Sequence, residues 1–313
     1  MTIAPPEAPP RPSSLRLPRG RRLDLSGRPK VMGIVNLTPD SFSDGGVHFD
    51  AQDPGRAVAA CLALLDQGAD LLDLGAESTR PGGGVYGAGA RTLSATEEID
   101  RLLPVLEALR SATDAPLSID TRKGPVARAA LGAGADLIND VSALADPDLA
   151  RALAEPAASG CPVVLMHSRG DLSTMQIDIR FEDAASEVTA ELDATLARAE
   201  AAGIARERTI VDPGIGFGKG QRHNLELIGR LDALAVLGRP ILLGASRKSF
   251  LGQVGAAGGG RTASPAGPGE RLGGSLAAAS WGALLGASIL RVHDVAATVQ
   301  FLDVWTAIRE ARA

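Results

Sequence analysis

Aromatic residues and cysteines are scarce in this sequence of 313 residues. Aromatics make up 3% of the chain, so alanine, leucine, valine and isoleucine have to fill any core. The two cysteines, Cys61 and Cys161, lie in an apolar helical pattern and just before a predicted strand, which favours buried thiols over a disulfide. The N-terminus is rich in proline and has no signal-peptide pattern. Together these features predict a cytoplasmic protein.

Long apolar runs and an excess of positive charge are also missing. No stretch approaches the roughly 18 apolar residues of a membrane span, so no membrane association is expected. The formal net charge of -5 argues against a general nucleic-acid surface, although a local group of basic residues can still bind a small anion. A content of 45% hydrophobic and 22% charged residues is typical of a soluble globular protein.

Several cofactor motifs do not occur. The stretch 212–220, DPGIGFGKG, lacks the GxxxxGK[ST] spacing, and no serine or threonine follows Lys219, so it is not a nucleotide P-loop. No HxH, HExxH or CxxC spacing is present, which makes a zinc site unexpected. The loop 36–46 lacks the GxGxxG spacing that an open, doubly wound sheet would want after its first strand. That alternative fold is therefore disfavoured.

One pattern repeats from Val31 onward: a short apolar strand ends in polar residues, and an Ala/Leu-rich helical stretch follows. The predicted strands are 31–35, 70–74, 116–120, 135–139, 162–166, 208–212, 240–244 and 288–292. The predicted helices are 55–67, 95–111, 125–133, 147–154, 182–202, 221–231, 272–286 and 294–312. Strands that alternate with helices pair in parallel, so eight such units predict an α/β fold, a (β/α)8 TIM barrel.

The remaining segments lie outside this repeat. Residues 1–14 are proline-rich and predicted to form a disordered tail, and residues 15–313 a single barrel domain. Residues 15–25 alternate apolar and polar side chains, which predicts a small hairpin that caps the bottom of the barrel. The glycine-rich stretch 80–91 is predicted to be a mobile lid at the C-terminal face, and 252–269 a loose surface loop.

Polar residues terminate the predicted strands. Because parallel barrel strands all run the same way, these residues gather at one mouth, where barrel enzymes hold their active sites. They are Asn36, residues 77–80, Asp120, residues 139–140, His167, Asp212, residues 246–248, and Arg291 with His293. Asp140 or His167 alone would be interpreted as a cap or turn residue. Eight polar strand ends together predict an active site.

Three of these groups indicate the kind of ligand. Asp120, Asn139 and Asp212 would be costly inside an apolar barrel unless they are hydrogen-bonded. A flat, nitrogen-rich heterocycle would satisfy them, because a carboxylate accepts two parallel N–H bonds and an asparagine both donates and accepts. Lys248 could then donate to a ring carbonyl. The alternative is that these polar groups satisfy one another and the strand ends.

Basic residues close to the last strands indicate an anion. Arg291 and His293 share one side of the last strand, and an arginine beside a neutral histidine is a good pair of phosphate donors. Lys248, with its neighbours at 246 and 247, could also meet an anion or a carbonyl, or simply begin a surface helix. Asp73, inside a strand, is predicted to orient Arg291 or Lys248, with a simple ion pair under the site as the alternative.

Taken together, the motifs resemble those of bacterial dihydropteroate synthases of the pterin-binding family. In order they are NLTPDSFSDGG (36–46), GAESTRPGG (75–83), SIDTRK (118–123), INDVSAL (138–144), VLMHSRG (164–170), VDPGIGFGK (211–219), GASRKSFLG (244–252) and RVHDV (291–295). That family joins 4-aminobenzoate to a dihydropterin bearing a CH2-diphosphate and gives 7,8-dihydropteroate and diphosphate for folate synthesis. The resemblance implies a transferase that uses Mg2+, binds these two small-molecule substrates, forms a homodimer and is a sulfonamide target.

The resemblance also implies roles for individual residues. The pterin and diphosphate would be bound by Thr79, Asp120, Asn139, Met166, Asp212, Phe217, Lys248, Arg291 and His293, with Met166 and Phe217 walling the ring. Asn36 would grip the diphosphate and ligate Mg2+. Around 4-aminobenzoate would lie Phe42, Asp44, Ser78, Thr79, Arg80, Pro81 and Ser249, with Lys248 also near its carboxylate. The catalytic set would be Asp120, Asp212, Lys248, Arg291 and His293.

Charge considerations predict the order of steps. The amine of 4-aminobenzoate is a weak nucleophile, so early cleavage of the C–O bond is favoured once Mg2+, Arg291 and His293 neutralise the leaving diphosphate. Asp120 and Asp212 would oppose the charge of the resulting pterin cation, and closed loops would keep water away. No general base is then needed.

Two other functions remain open at this point. A methyltetrahydrofolate–corrinoid methyltransferase shares a similar barrel and pterin acids, but would not need the STRPG and SRKSF motifs. A catalytically silent, pterin-binding paralogue is the second alternative, disfavoured because Asn36, Arg80, Lys248 and His293 are intact. The helical stretch 272–286 is apolar all round, which fits one face on the barrel and another on a partner subunit.

Overall fold

A computed structural model describes residues 12–38, 54–77, 92–170, 179–257 and 265–312. The chain begins there with an antiparallel hairpin of β1 (Ser14–Arg16) and β2 (Arg22–Asp24). Eight parallel strands follow: β3 (Lys30–Asn36), β4 (Leu71–Gly75), β5 (Leu117–Asp120), β6 (Leu137–Asp140), β7 (Val163–Met166), β8 (Thr209–Asp212), β9 (Leu242–Leu243) and β10 (Ile289–Val292).

These eight strands close into a barrel. Their order is β8-β7-β6-β5-β4-β3-β10-β9, and each neighbouring pair in that order is parallel. A parallel bridge between Val211 and Ile241 joins β8 to the β9 side, and the Val211 amide donates to the Pro240 carbonyl at 3.0 Å. The predicted (β/α)8 barrel is therefore confirmed, and all eight strand ends face the same mouth.

Nine α-helices occur in the described residues. Eight lie where the sequence pattern predicts them, with ends shifted by a few residues, and the one that begins at Ser249 is not predicted. They are α1 (Pro54–Asp66), α2 (Ala95–Ala112), α3 (Gly124–Gly132), α4 (Pro147–Ala154), α5 (Ala184–Ala201), α6 (Gln221–Gly229), α7 (Ser249–Ala257), α8 (Leu272–Leu284) and α9 (Val295–Glu310). Side-chain caps fix several starts. Ser94, for example, accepts from the Glu97 amide in a capping box, and Asp183 accepts from the Ser186 amide.

One expectation fails in this part of the chain. The stretch 252–269 was expected to be a loose loop, but its first residues belong to α7, and Pro268–Glu270 forms a turn of 3-10 helix. A Cβ on Gly252 would lie 2.5 Å from the Ala266 carbonyl oxygen, so this glycine permits a close approach of two chain segments. The glycine content of this stretch therefore reflects close packing at Gly252 and not a loose loop. Residues 258–264 are outside the described part.

The lower half of the barrel interior is filled by apolar side chains. Four hairpin leucines, Leu15, Leu17, Leu23 and Leu25, pack with Met32, Leu71, Leu137, Val164, Ile210, Leu242 and Ile289. The hairpin thus caps the bottom of the barrel, as predicted. Because strand side chains alternate in direction, the residues two positions further along also point inward. On β4, β6, β8 and β10 these are the polar groups Asp73, Asn139, Asp212 and Arg291.

The two cysteines form no disulfide with each other. Cys61 and Cys161 are both free and buried, as expected, and burial raises the pKa of each thiol to about 12. Among the helices of the described residues, none has the length and apolar character needed to cross a bilayer.

Candidate active site

Arg291 on β10 joins two carboxylates at the mouth of the barrel. Its Nε donates to Asp73 Oδ2 at 2.6 Å, and its Nη2 donates to Asp120 Oδ2 at 3.0 Å. Asn139 Nδ2 donates to the same Asp73 oxygen at 2.9 Å. Of the two basic partners that the sequence left open for Asp73, the structure pairs it with Arg291. Some of the polar groups that the sequence assigned to a ligand are therefore hydrogen-bonded within the protein: Asn139 to Asp73, and Arg291 to Asp73 and Asp120.

Burial sets the protonation of this network. It raises the pKa of Asp120 to about 7, although the charge of Arg291 opposes the shift. Burial by itself lowers the pKa of Arg291, but Asp73 and Asp120 outweigh it and raise that pKa above its usual value. Within the described residues, Asp73 Oδ1 and the hydroxyl of its register neighbour Ser118 have no hydrogen-bond partner. These two oxygen atoms can therefore still form hydrogen bonds to a ligand.

Lys248, Asp212 and Phe217 form a second wall of the mouth, next to the Arg291 network. Lys248 Nζ donates to the Ile215 carbonyl and lies 4.3 Å from the centroid of the Phe217 ring. Asp212 Oδ1 accepts from the Gly214 amide at 2.7 Å. Burial raises the pKa of Asp212 and lowers that of Lys248 to about 8, and the attraction between the two side chains opposes both shifts. A cation and a carboxylate thus face each other beside an aromatic ring.

The glycines of the 212–220 stretch allow chain segments to touch. Gly214 has a φ of +65°, and a Cβ there would lie 1.8 Å from the His167 carbonyl oxygen. Gly216 has a φ of +82°, and its Cβ would lie 2.9 Å from Lys248 Cδ. Any side chain at either position would push the loop off the barrel end or displace Lys248. These glycines shape the wall of the site.

His293 is held by the turn that follows β9. Its Nδ1 lies 3.1 Å from Ser246 Oγ, which also accepts from the His293 amide at 3.2 Å. Burial and then the charge of Arg291 lower the pKa of His293 to about 3, so the ring is neutral at pH 7. Arg247 instead pairs with Asp294, Nε to Oδ2 at 3.0 Å. Of the two basic residues in this turn, Lys248 is therefore the one that interacts with Asp212.

Two strand-end residues are engaged in local structure, as expected for each taken alone. Asp140 accepts from the Ser142 amide at 2.8 Å and from its hydroxyl at 2.6 Å, which caps the turn after β6. His167 Nε2 lies 2.9 Å from Glu191 Oε2 on α5. Glu77, at the end of β4, pairs with Arg122 at 3.1 Å. Among the described residues, none of these three side chains forms a hydrogen bond with Arg291 or with its partners Asp73 and Asp120.

Most of the described candidates therefore converge. Asp120, Asn139, Asp212, Phe217, Lys248, Arg291 and His293 lie at the mouth, and Met166 is buried at the end of β7, in register with Asp212. Asn36 ends β3 beside Gly75, and Ser249 begins α7. Phe42, Asp44, Ser78, Thr79, Arg80 and Pro81 lie outside the described residues, as does the predicted lid 80–91.

One buried residue of this region had no assigned role in the sequence. Lys219 is 3% exposed beneath the loop that carries Phe217, and its Nζ donates to the Phe217 carbonyl at 2.8 Å. The signal that could have revealed it is a lysine at the end of a glycine-rich, apolar loop, directly before α6.

Comparisons with known proteins agree with this geometry. The family model described as "Pterin binding enzyme" matches residues 32–293. The dihydropteroate synthase of Escherichia coli K12 is 42% identical over 294 residues, which is 94% of this chain and 96% of that protein. This chain belongs to the dihydropteroate synthase family.

Solved structures support the same membership. A Yersinia pestis dihydropteroate synthase with a sulfonamide drug complex superposes with a TM-score of 0.83 at 41% identity, covering 95% of this chain and 99% of that one. The Xanthomonas albilineans enzyme with 7,8-dihydropteroate gives 0.76 at 39% identity, with 94% and 98% covered. The resemblance of the motifs is thereby confirmed. So is the function it implied, a transferase of folate biosynthesis that forms 7,8-dihydropteroate.

Proposed function

We propose that the mouth of the barrel binds (7,8-dihydropterin-6-yl)methyl diphosphate, transfers its pterin-methyl group to the amine of 4-aminobenzoate and releases diphosphate. The observation that carries this proposal is Arg291, a cation fixed between Asp73 and Asp120 at the same mouth as Asp212 and Lys248. The related Xanthomonas albilineans enzyme was solved with 7,8-dihydropteroate, the product of this reaction.

The pterin edge is assigned to Asp120, Asn139 and Asp212. A carboxylate accepts two parallel N–H bonds from an amino-pyrimidinone edge, and the asparagine amide complements both donors and acceptors. Lys248 donates to the ring carbonyl and N5, exchanging its bond to the Ile215 carbonyl for one to the ligand. The ring is walled by Phe217 on the Lys248 side and by Met166. Thr79, which lies outside the described residues, is assigned to the same substrate.

The diphosphate is assigned to Asn36, Arg291 and His293. The Ser246 hydroxyl contacts His293 Nδ1, so Nε2 is the ring nitrogen assigned to the anion, to which it donates in the tautomer where Ser246 donates to Nδ1. Asn36 fits an Mg2+ site that is completed by substrate phosphates, since its amide oxygen is a hard ligand at the end of β3. In the part of the chain that the structure describes, no group of three His, Cys, Asp or Glu side chains could hold a metal alone. Bound there, Mg2+ would supply positive charge to the leaving group.

The reaction begins with the break of the C–O bond to the diphosphate, which leaves with the electron pair. Asp120 and Asp212 oppose the positive charge that develops on the pterin, while Arg291 and His293 hold the departing anion. The amine of 4-aminobenzoate then forms the C–N bond and loses a proton. Lys248 and Ser249 are assigned to its carboxylate. The residues Phe42, Asp44, Ser78, Thr79, Arg80 and Pro81, which lie outside the described part of the chain, are assigned to the 4-aminobenzoate site as well.

The enzyme is further assigned as a cytoplasmic homodimer. Helices α8 and α9 support the dimer because they expose large apolar side chains: Trp281 is 50% exposed, Val304 57% and Ile308 65%. The free thiols of Cys61 and Cys161 support a reducing compartment. Light scattering at micromolar concentration tests the assembly, and a monomer contradicts it.

Diphosphate release with both substrates present tests the proposed reaction. Asp120→Asn should cut turnover about 100-fold, the size of a lost charge-stabilising group, while the KM for 4-aminobenzoate changes less than about threefold. Asp232→Asn, at an exposed position, serves as the control and should behave like the wild type. Equal losses of turnover and 4-aminobenzoate affinity contradict the assignment of Asp120. Pterin binding without diphosphate release would indicate a silent paralogue, and methyl transfer from methyltetrahydrofolate would indicate the corrinoid enzyme.

A further inference from the structure

Lys219 makes a complete set of hydrogen bonds inside the protein. Its Nζ lies 2.9 Å from His167 Nδ1, 2.8 Å from the Phe217 carbonyl oxygen and 3.3 Å from the His167 carbonyl oxygen. Three acceptors match the three N–H bonds of an ammonium group, whereas a neutral amine has only two. The geometry is therefore that of a buried ammonium clamped between the end of β7 and the loop after β8.

The hydrogen bonds around His167 present its Nδ1 to Lys219 as an acceptor. Its Nε2 lies 2.9 Å from Glu191 Oε2, so the ring proton is on Nε2 and the Nδ1 lone pair points to Lys219. Burial, and then the charge of Lys219, lowers the pKa of His167 to about 4, which keeps the ring neutral at pH 7. Arg169 Nε donates to the other Glu191 oxygen at 3.0 Å. A chain of contacts thus fixes the face of His167 that Lys219 uses.

The clamped loop carries two features of the proposed pterin pocket. Phe217, whose carbonyl Lys219 holds, packs its ring 4.3 Å from Lys248 Nζ, and the Ile215 carbonyl accepts from the same Nζ. Gly214 lies so close to the His167 carbonyl that no side chain fits between them. A change in the Lys219–His167 contact therefore moves the ring wall and the resting position of Lys248 together.

We propose that Lys219 is a positioning residue for the pterin pocket, which acts by fastening the 213–218 loop to His167 so that Phe217 and Lys248 meet the pterin ring. This inference rests on the proposed function. The burial of an ammonium group against neutral acceptors is costly, because burial lowers the pKa of Lys219 to about 7 even though Asp212 opposes it. A purely apolar side chain would hold the barrel together at less cost.

Arg208 provides a matched control at the other end of β8. It precedes β8 at the opposite end of the barrel, and it too clamps backbone carbonyls: Nε donates to Cys161 O at 2.8 Å, and Nη2 to Leu153 O and Ala158 O, each at 2.9 Å. Arg208→Met and Lys219→Met therefore remove comparable clamps, but only one of the two clamps lies at the proposed pocket.

Steady-state kinetics on the two variants separates positioning from stability. Lys219→Met should raise the KM for the pterin diphosphate about tenfold, the effect of losing about 1.4 kcal/mol, and leave the KM for 4-aminobenzoate within about twofold. Arg208→Met should lower the melting temperature and leave both KM values unchanged. An unchanged pterin KM in folded Lys219→Met, or an equal rise in Arg208→Met, would overturn the inference.

A double-mutant cycle provides the second measurement. His167→Gln keeps an acceptor for Lys219, so the pterin KM should rise less than in His167→Leu, and His167→Leu combined with Lys219→Met should add nothing to either single effect. Lys219→Gln replaces the methionine variant if the latter does not fold. If the wild type releases no diphosphate, the proposed function fails, and the same variants are then compared by calorimetric titration with the pterin diphosphate, where equal affinities would overturn the inference.

Discussion

Arg291 Nε and Asp73 Oδ2 lie 2.6 Å apart inside the barrel, although 218 positions of sequence separate the two residues. Asp73 is fully buried and also accepts from Asn139, so it fixes an arginine and an amide at the same time. The pair therefore forms a rigid base beneath the proposed diphosphate and pterin contacts.

Asp73→Asn should weaken pterin diphosphate binding without touching 4-aminobenzoate. Loss of one charge from a buried ion pair destabilises a protein by about 3 kcal/mol, and among the described residues Asp120 is then the carboxylate that still accepts a hydrogen bond from Arg291. We expect the KM for the pterin substrate to rise about tenfold, because a misdirected guanidinium loses about 1.4 kcal/mol of binding. Asp70→Asn is the control, since Asp70 pairs with Arg28 at the other end of the barrel, at 3.1 Å. A normal pterin KM in Asp73→Asn would contradict this prediction.

The alkaline limb of the pH profile should belong to Lys248. Burial lowers its pKa to about 8, so the ammonium that contacts the pterin is present below that pH and lost above it. The kcat/KM for the pterin substrate should therefore fall about tenfold per pH unit above pH 8. In Lys248→Arg the component of the limb near pH 8 should disappear, since arginine stays protonated, at a lower maximal rate, while the smaller effect of Lys219 near pH 7 should remain. An unmoved limb would assign the titration to another group.

Asp136→Ala should destabilise the hairpin end of the barrel, here called the floor, and leave the catalytic activity unchanged. Asp136 is fully buried and accepts from Arg19 at 2.6 Å, Arg21 at 2.9 Å, Arg110 at 3.0 Å and the Leu117 amide at 3.0 Å. Its loss leaves these donors without their common acceptor, which costs about 3–5 kcal/mol. Urea unfolding measures this change. Both KM values of the folded fraction should stay at wild-type levels, and a changed KM would mean that the floor and the mouth are coupled.

Gly214→Ala should disturb the pterin wall. The added Cβ meets the His167 carbonyl and adopts a positive φ, which by itself costs about 1–2 kcal/mol. We expect a lower melting temperature together with a raised pterin KM. Gly229→Ala, at the end of α6, has open space around the new methyl group and should stabilise the protein by up to about 1 kcal/mol. A wild-type KM in Gly214→Ala would show that the loop relaxes freely.

The local pattern of apolar and polar residues was sufficient to predict the eight barrel strands, eight of the helices and their order along the chain. Each barrel strand appears within about two residues of its predicted range, because short apolar runs between Ala/Leu-rich helices fit few folds. Helix α7 was missed because its glycines suggested looseness, whereas Gly252 faces the Ala266 carbonyl at a distance that only glycine tolerates. A high glycine content indicates a flexible segment only where no other part of the chain packs against the glycines.

The sequence by itself determined the barrel, its hairpin cap and the set of polar strand ends, because alternation and helical periodicity are local properties of the chain. Only the tertiary structure decided which partner each polar group takes. Asp73 could serve Arg291 or Lys248, and Lys219 had no evident role, until barrel closure placed Arg291 beside Asp73 and Lys219 beneath His167. Hydrogen bonds between distant strands depend on distances of a few tenths of an ångström, and these are set by the closed barrel as a whole.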